Sequence, residues 1–130
     1  MINQLRILLV EDLEITVMVT KALLRSINKD IVIDVAENGE QALDLANKNK
    51  YSLIFMDIGL PDIDGLTVSE TIKHAINSIN CTTPIVVLTG NDQEDYKRHA
   101  KEIGIEEFLL KPLEKAVAIK LLDDFVYNKA

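Results

Sequence analysis

The chain has 130 residues, 48% hydrophobic and 27% charged, the balance of an ordinary soluble globular domain with one core. Its 21 acidic residues outnumber 14 lysines and arginines, for a formal net charge of −7. No basic block accompanies that excess, which argues against direct contact with nucleic acid. The apolar runs fall far short of the roughly 20 residues that cross a membrane. The start, MINQLRILLVED, lacks the basic and apolar regions of a signal peptide. A single cytoplasmic domain over residues 1–130, without membrane insertion, is therefore expected.

Taken in order, short runs rich in Val, Ile and Leu alternate with segments of helical period, the pattern of βα units. A strand over 5–10 precedes a helix beginning near Glu14, in which Ile15, Val19, Ala22, Leu23 and Ile27 share a face. A strand over 31–36 leads to a more polar helix over 40–49, and a strand over 52–57 to a helix patterned by Val68, Ile72, Ala75, Ile76 and Ile79. After the irregular stretch NSINCTTP come a strand over 84–89, a polar helix over 92–102, a strand over 107–110 and a helix carrying Ala118, Leu121, Leu122 and Phe125. Gly39 and Gly104 stand where helices are entered or left, as suits residues that tolerate positive φ. Strands without polar alternation are buried on both faces, so the fold class is α/β, a three-layer sandwich around a parallel sheet.

In such a sheet, ligands bind beyond the carboxyl ends of the strands. The first strand ends in Glu11 and Asp12, the third in Asp57 and the fourth in Thr89, and Lys111 and Pro112 follow the fifth. Carboxylates held together repel unless a cation neutralises them, and hard oxygen donors match Mg²⁺. An ionised aspartate can attack a phosphoryl group to form an acyl phosphate, with an ammonium and a hydroxyl to neutralise the charge that develops. Each residue alone has a plainer reading: the Glu11–Asp12 pair as a helix cap, Cys81 as an inert loop residue, and His74 and His99 as surface helix residues. The ordered set of five at strand ends is what carries the argument. In FMDIGLPDIDG, Asp57 closes a buried strand, whereas Asp62 and Asp64, between Pro61 and Gly65, suit a turn and a helix start.

The pieces ILLVED, AENGEQAL, LIFMDIGLPDIDGL, PIVVLTG and FLLKPL together resemble the response-regulator receiver domains of two-component phosphorelays, over about residues 5–125. The resemblance implies a flavodoxin-like (βα)₅ fold of strand order 2-1-3-4-5. It also implies that Asp57 is the phosphoacceptor and that Glu11, Asp12, Asp57 and the backbone carbonyl of Gly59 hold Mg²⁺. Thr89 and Phe108 would be the switch hydroxyl and switch aromatic, Lys111 the phosphoryl-pairing lysine, and Lys111–Pro112 a cis bond. The expected partner is a histidine kinase or histidine phosphotransfer protein docking near Ile15, Met18, Pro112 and Leu113, two of which have core packing as their alternative reading: Ile15 and Leu113. A homodimer through the fourth helix, fifth strand and fifth helix is a further expectation. The mixed charges of the fourth helix, Asp92, Glu94, Asp95, Lys97, Arg98, Lys101 and Glu102, suit either that face or a solvated one. Glu11 departs from the more frequent Asp, Leu13 from a polar residue, and Gly59 and Asn91 flank the site where relatives tune hydrolysis.

The expected role is a phosphoacceptor signalling domain rather than an enzyme in its own right, either free-standing or a segment of a hybrid kinase. The runner-up, an aspartate-nucleophile phosphatase, needs a second carboxylate two residues after the nucleophile, where Gly59 stands. A dinucleotide-binding domain lacks its glycine fingerprint after the first strand. A pseudo-receiver that only docks proteins would not need all five residues.

Overall fold

Each apolar run forms a strand within one residue of its expected limits in the computed structural model, which describes residues 4–90 and 94–127. These are β1 (Arg6–Val10), β2 (Val32–Ala36), β3 (Leu53–Met56), β4 (Ile85–Thr89) and β5 (Glu107–Leu110). All pair in parallel, in the order β2-β1-β3-β4-β5. Parallel strands need crossovers, and the helices supply them: α1 (Glu14–Ile27), α2 (Gly39–Lys48), α3 (Gly65–His74), α4 (Glu94–Ile103) and α5 (Lys115–Leu122).

Side chains that alternate along the strands enter two separate cores, which produces the three layers. Ile7, Leu9, Phe55 and Val86 pack with Leu24 of α1 and with Ala118, Leu121 and Leu122 of α5. Leu8, Val10, Ile54 and Met56 face the other way, against Ala42 and Ala46 of α2 and Val68 and Ile72 of α3. A third cluster joins Val87 and Leu66 to Ala100 and Ile103 of α4.

The helical period past α3 misleads. α3 stops at His74, Ala75 is extended, and Asn77 adopts φ 65°, so Ile76 and Ile79 are exposed rather than on a helical face. What overrides the pattern is Asn80, wholly buried in the following loop. Its amide donates to the carbonyls of Ala46 and Asn49 at 2.7 and 2.8 Å, and its oxygen accepts from the Tyr51 N–H and the Thr83 hydroxyl at 2.8 and 2.9 Å. Continuing the helix would carry Asn80 away from all four groups. At the other end of the chain, the periodic residue Phe125 lies past α5, in a π-helical turn over Asp123–Tyr127.

Gly104 has the positive φ expected of it, 100°. Gly39 does not. Its requirement is space, since a Cβ there would lie 2.9 Å from both Ile63 and Val68. His74 is exposed, with its ring Nε2 2.8 Å from the Ile103 carbonyl, and Cys81 is exposed in the loop.

Candidate functional site

The sheet order places β2 on one side of β1 and β3 on the other, so a crevice opens where β1 and β3 end. Backbone pairing runs past the strands: Glu11 N–H donates to Ala36 at 2.9 Å and Asp57 N–H to Val10 at 3.0 Å. The two acids therefore leave adjacent strands side by side. Glu11 and Asp57 are buried, Asp12 is exposed, and carboxylate oxygens of all three lie within 4.8 Å of one another.

Lys111 bridges the pair. Its ammonium lies 2.5 Å from Glu11 Oε1 and 3.3 Å from Asp57 Oδ2. The Lys111 N–H donates to the Thr89 carbonyl at 2.8 Å, which fixes the lysine backbone to the end of β4, and the Lys111–Pro112 bond is cis, as expected. Burial would lower the lysine's pKa, but the Glu11 contact and the charge of Asp57 outweigh it and hold the ammonium above its usual range. Burial pushes Glu11 up, against the contrary pull of Lys111. Lys111 serves two of the three carboxylates, whose hard oxygens together form a donor set that could hold a divalent cation.

The capping reading of the acid pair does not hold, because Leu13 is the N-cap of α1 and no side chain caps that end. Glu11 Oε2 instead accepts from the Leu13 N–H at 3.2 Å, and Asp57 Oδ1 from Gly59 N–H at 3.3 Å. Thr89 is buried at the end of β4. Phe108 stands apart from the carboxylates, half-buried against the cluster of Ile58, Val87 and Ala100. Gly59 is exposed, and a Cβ on it or on Gly90 would meet nothing within 4 Å. Asn91 and Asp92 lie outside the described residues.

Beside Asp57 a cavity of about 200 Å³ opens between α1 and the segment after β5, lined in part by Ile15, Thr16, Val19, Lys111 and Pro112. Ile15, Met18 and Val19 are exposed around it, so Ile15 is not core, whereas Leu113 is half-buried against the α1–α5 core.

Two residues have roles that the sequence did not reveal. Asp64 caps α3, accepting from Leu66 N–H at 2.8 Å, but Asp62 does not serve that helix. It accepts from Gly39 N–H at 2.7 Å and Glu40 N–H at 3.0 Å, capping α2 from across the molecule. Gly65 abuts the backbone of Asp57, and only the glycine's place in the motif hinted at it.

A family model described as the response regulator receiver domain matches residues 7–123. The aerobic respiration control sensor protein ArcB of Escherichia coli K12 is 32% identical over 121 residues, 93% of this chain and 15% of that protein. The hybrid signal transduction histidine kinase M of Dictyostelium discoideum is 32% identical over 130 residues, 95% of this chain and 5% of that protein. The chain thus spans only a small part of these relatives. Among solved structures, the receiver domain of a sensor histidine kinase from Pseudomonas aeruginosa PAO1, with a magnesium ion coordinated in its active site cleft, superposes with a TM-score of 0.83 at 29% identity, covering 96% of this chain and 99% of that one. With the fold, the strand-end acids and the family match in agreement, this chain belongs to the response regulator receiver domains of two-component phosphorelays.

Proposed function

We propose that Asp57 accepts a phosphoryl group from a phosphohistidine on a histidine kinase or histidine phosphotransfer protein. A carboxylate oxygen of Asp57 attacks phosphorus, the bond from phosphorus to the imidazole nitrogen breaks, and its electron pair stays on the ring. The observation that carries this reading is Lys111 held against both Glu11 and Asp57, a cation already beside the nucleophile. Lys111 pairs with the incoming phosphoryl oxygens and the Thr89 hydroxyl hydrogen-bonds to one of them. Glu11, Asp12, Asp57 and the Gly59 carbonyl would hold Mg²⁺, which supplies charge neutralisation at the phosphoryl oxygens.

Thr89 and Phe108 then act as the switch, and the surface of α4, β5 and α5 changes its partner preference or pairs with a second copy. The partner docks on the exposed apolar residues of α1, Ile15 and Met18, beside Pro112. The chain acts as one cytoplasmic domain over residues 1–130, without nucleic-acid contact or catalytic turnover of its own on small molecules. Among the described residues no helix is long and apolar enough to cross a membrane. The phosphatase alternative gains no support, because position 59 offers no side-chain acid.

The test is incubation with phosphoramidate and Mg²⁺, followed by intact mass. One phosphoryl group should be added, labile to both acid and base, and Asp57→Asn should add none; full labelling of that variant would sink the assignment.

A further inference from the structure

The segment between the phosphoacceptor and α3 has little to hold it on its solvent side. Gly59 carries no side chain, is exposed, and has open space around its Cα. Glycine has the widest backbone freedom of any residue, so a carbonyl carried by Gly59 must be positioned by what flanks it. On the strand side, Gly65 N–H and Leu60 N–H both donate to the Ile58 carbonyl at 3.0 Å. On the far side stands Asp62, three residues after Gly59, with its two carboxylate oxygens on the Gly39 and Glu40 N–H groups of α2.

Those contacts are more than a helix cap. α2 already has one: Asn38 accepts from Gln41 N–H at 2.8 Å, and Gln41 reaches back to the Glu37 N–H at 2.8 Å. Asp62 adds a bond from another element, reaching 22 and 23 residues along the chain. The approach is close: a Cβ at position 39 would lie 3.3 Å from Asp62 Oδ1, besides meeting Ile63 and Val68 at 2.9 Å. A carboxylate at a helix N-terminus is also favoured by the helix dipole.

We infer that Asp62 is a positioning residue for the metal and phosphoryl site, tethering the Gly59–Asp62 segment to the first turn of α2 and so holding the Gly59 carbonyl toward Asp57. The inference rests on the proposed role of that carbonyl. Without the tether the segment samples more conformations, and a ligand that needs one of them binds more weakly by the fraction lost.

Calorimetric titration with Mg²⁺ tests this on the intact chain, with amide hydrogen exchange measured without metal. Asp62→Ala should raise the Mg²⁺ dissociation constant about five-fold, as the fraction of chains with the segment in place falls, and speed exchange at Gly59 and Leu60. Asp62→Asn, which keeps one oxygen acceptor, should fall between. Asn38→Ala removes the ordinary cap of the same helix without touching the loop. It should lower the melting temperature yet leave Mg²⁺ affinity within about two-fold. Unchanged affinity in Asp62→Ala, or equal weakening in Asn38→Ala, would overturn the tether and leave Asp62 as a helix cap. Absence of Mg²⁺ heat from the unaltered chain would overturn the metal site itself, and the tether with it.

Discussion

Gly65 stands against the main chain of Asp57 so closely that a Cβ on it would lie 2.0 Å from the Asp57 carbonyl oxygen and 2.9 Å from its carbon. The first residue of α3 and the proposed nucleophile are thus packed backbone to backbone. Gly65→Ala must displace one of them. We expect a loss of about 1–3 kcal/mol in stability, the usual size of overpacking, and slower phosphoryl acceptance by the protein that still folds. Gly59→Ala is the contrast, since its Cβ meets nothing within 4 Å. It should change stability by less than about 1 kcal/mol, with a gain where chain entropy dominates. Urea denaturation and phosphoramidate labelling read both.

Removing the Lys111 side chain would leave Glu11 and Asp57 facing each other without their shared cation. Lys111→Ala should destabilise the metal-free protein by roughly 1–3 kcal/mol. Added Mg²⁺ should then raise its melting temperature more than that of the parent, because the cation relieves repulsion that the lysine no longer does. Equal shifts in the two proteins would count against a metal among these carboxylates.

Replacing both Ile15 and Met18 with alanine removes exposed apolar side chains from α1 beside the Asp57 cavity. Transfer from a phosphorylated histidine partner should fall about ten-fold, the loss expected when interface anchors are truncated. Labelling by phosphoramidate, which needs no docking surface, should stay within about two-fold of the parent. A parallel fall in both assays would mean that the changes act on the site rather than on docking.

Tyr51 is buried, and its hydroxyl donates to Asp34 Oδ2 at 2.7 Å, an oxygen that Arg6 also engages at 2.9 Å. Burial, reinforced by the Asp34 carboxylate, pushes the phenol well above its ordinary value. The folded state therefore keeps its proton where the unfolded chain, titrating at about 10, has lost it. The stabilisation is complete below about pH 10 and declines as pH rises above it. Tyr51→Phe should cost about 0.5–1.5 kcal/mol at neutral pH and flatten the decline between pH 9 and 11, as read by denaturant unfolding at each pH.

The strands were legible because β1, β3 and β4 are buried on both faces, which demands uninterrupted apolar runs such as Ile7–Val10. The rim acids were legible for a related reason, since a charged residue that ends a buried run marks the strand's end. Ile76 and Ile79 were misread because local period competes with a long-range bond network, and the four partners of Asn80 are distant in sequence from it or invisible in its neighbours. The second role of Asp62, read from the sequence only as a turn residue, was hidden for the same reason, as its two partners stand in the first turn of α2 with the rest of that helix and β3 between. Nothing in PDIDG distinguishes an acid that caps the next helix from one that caps the previous one.

The Asn80 junction sits where β3 and β4 begin, while Gly59 and Gly90 sit where they end. One pole of the sheet is stitched by the buried Asn80 amide, and the other carries two glycines with open space where a side chain would stand. The proposed phosphoacceptor thus stands at the pole that is open to a ligand, opposite the one that the Asn80 bonds close.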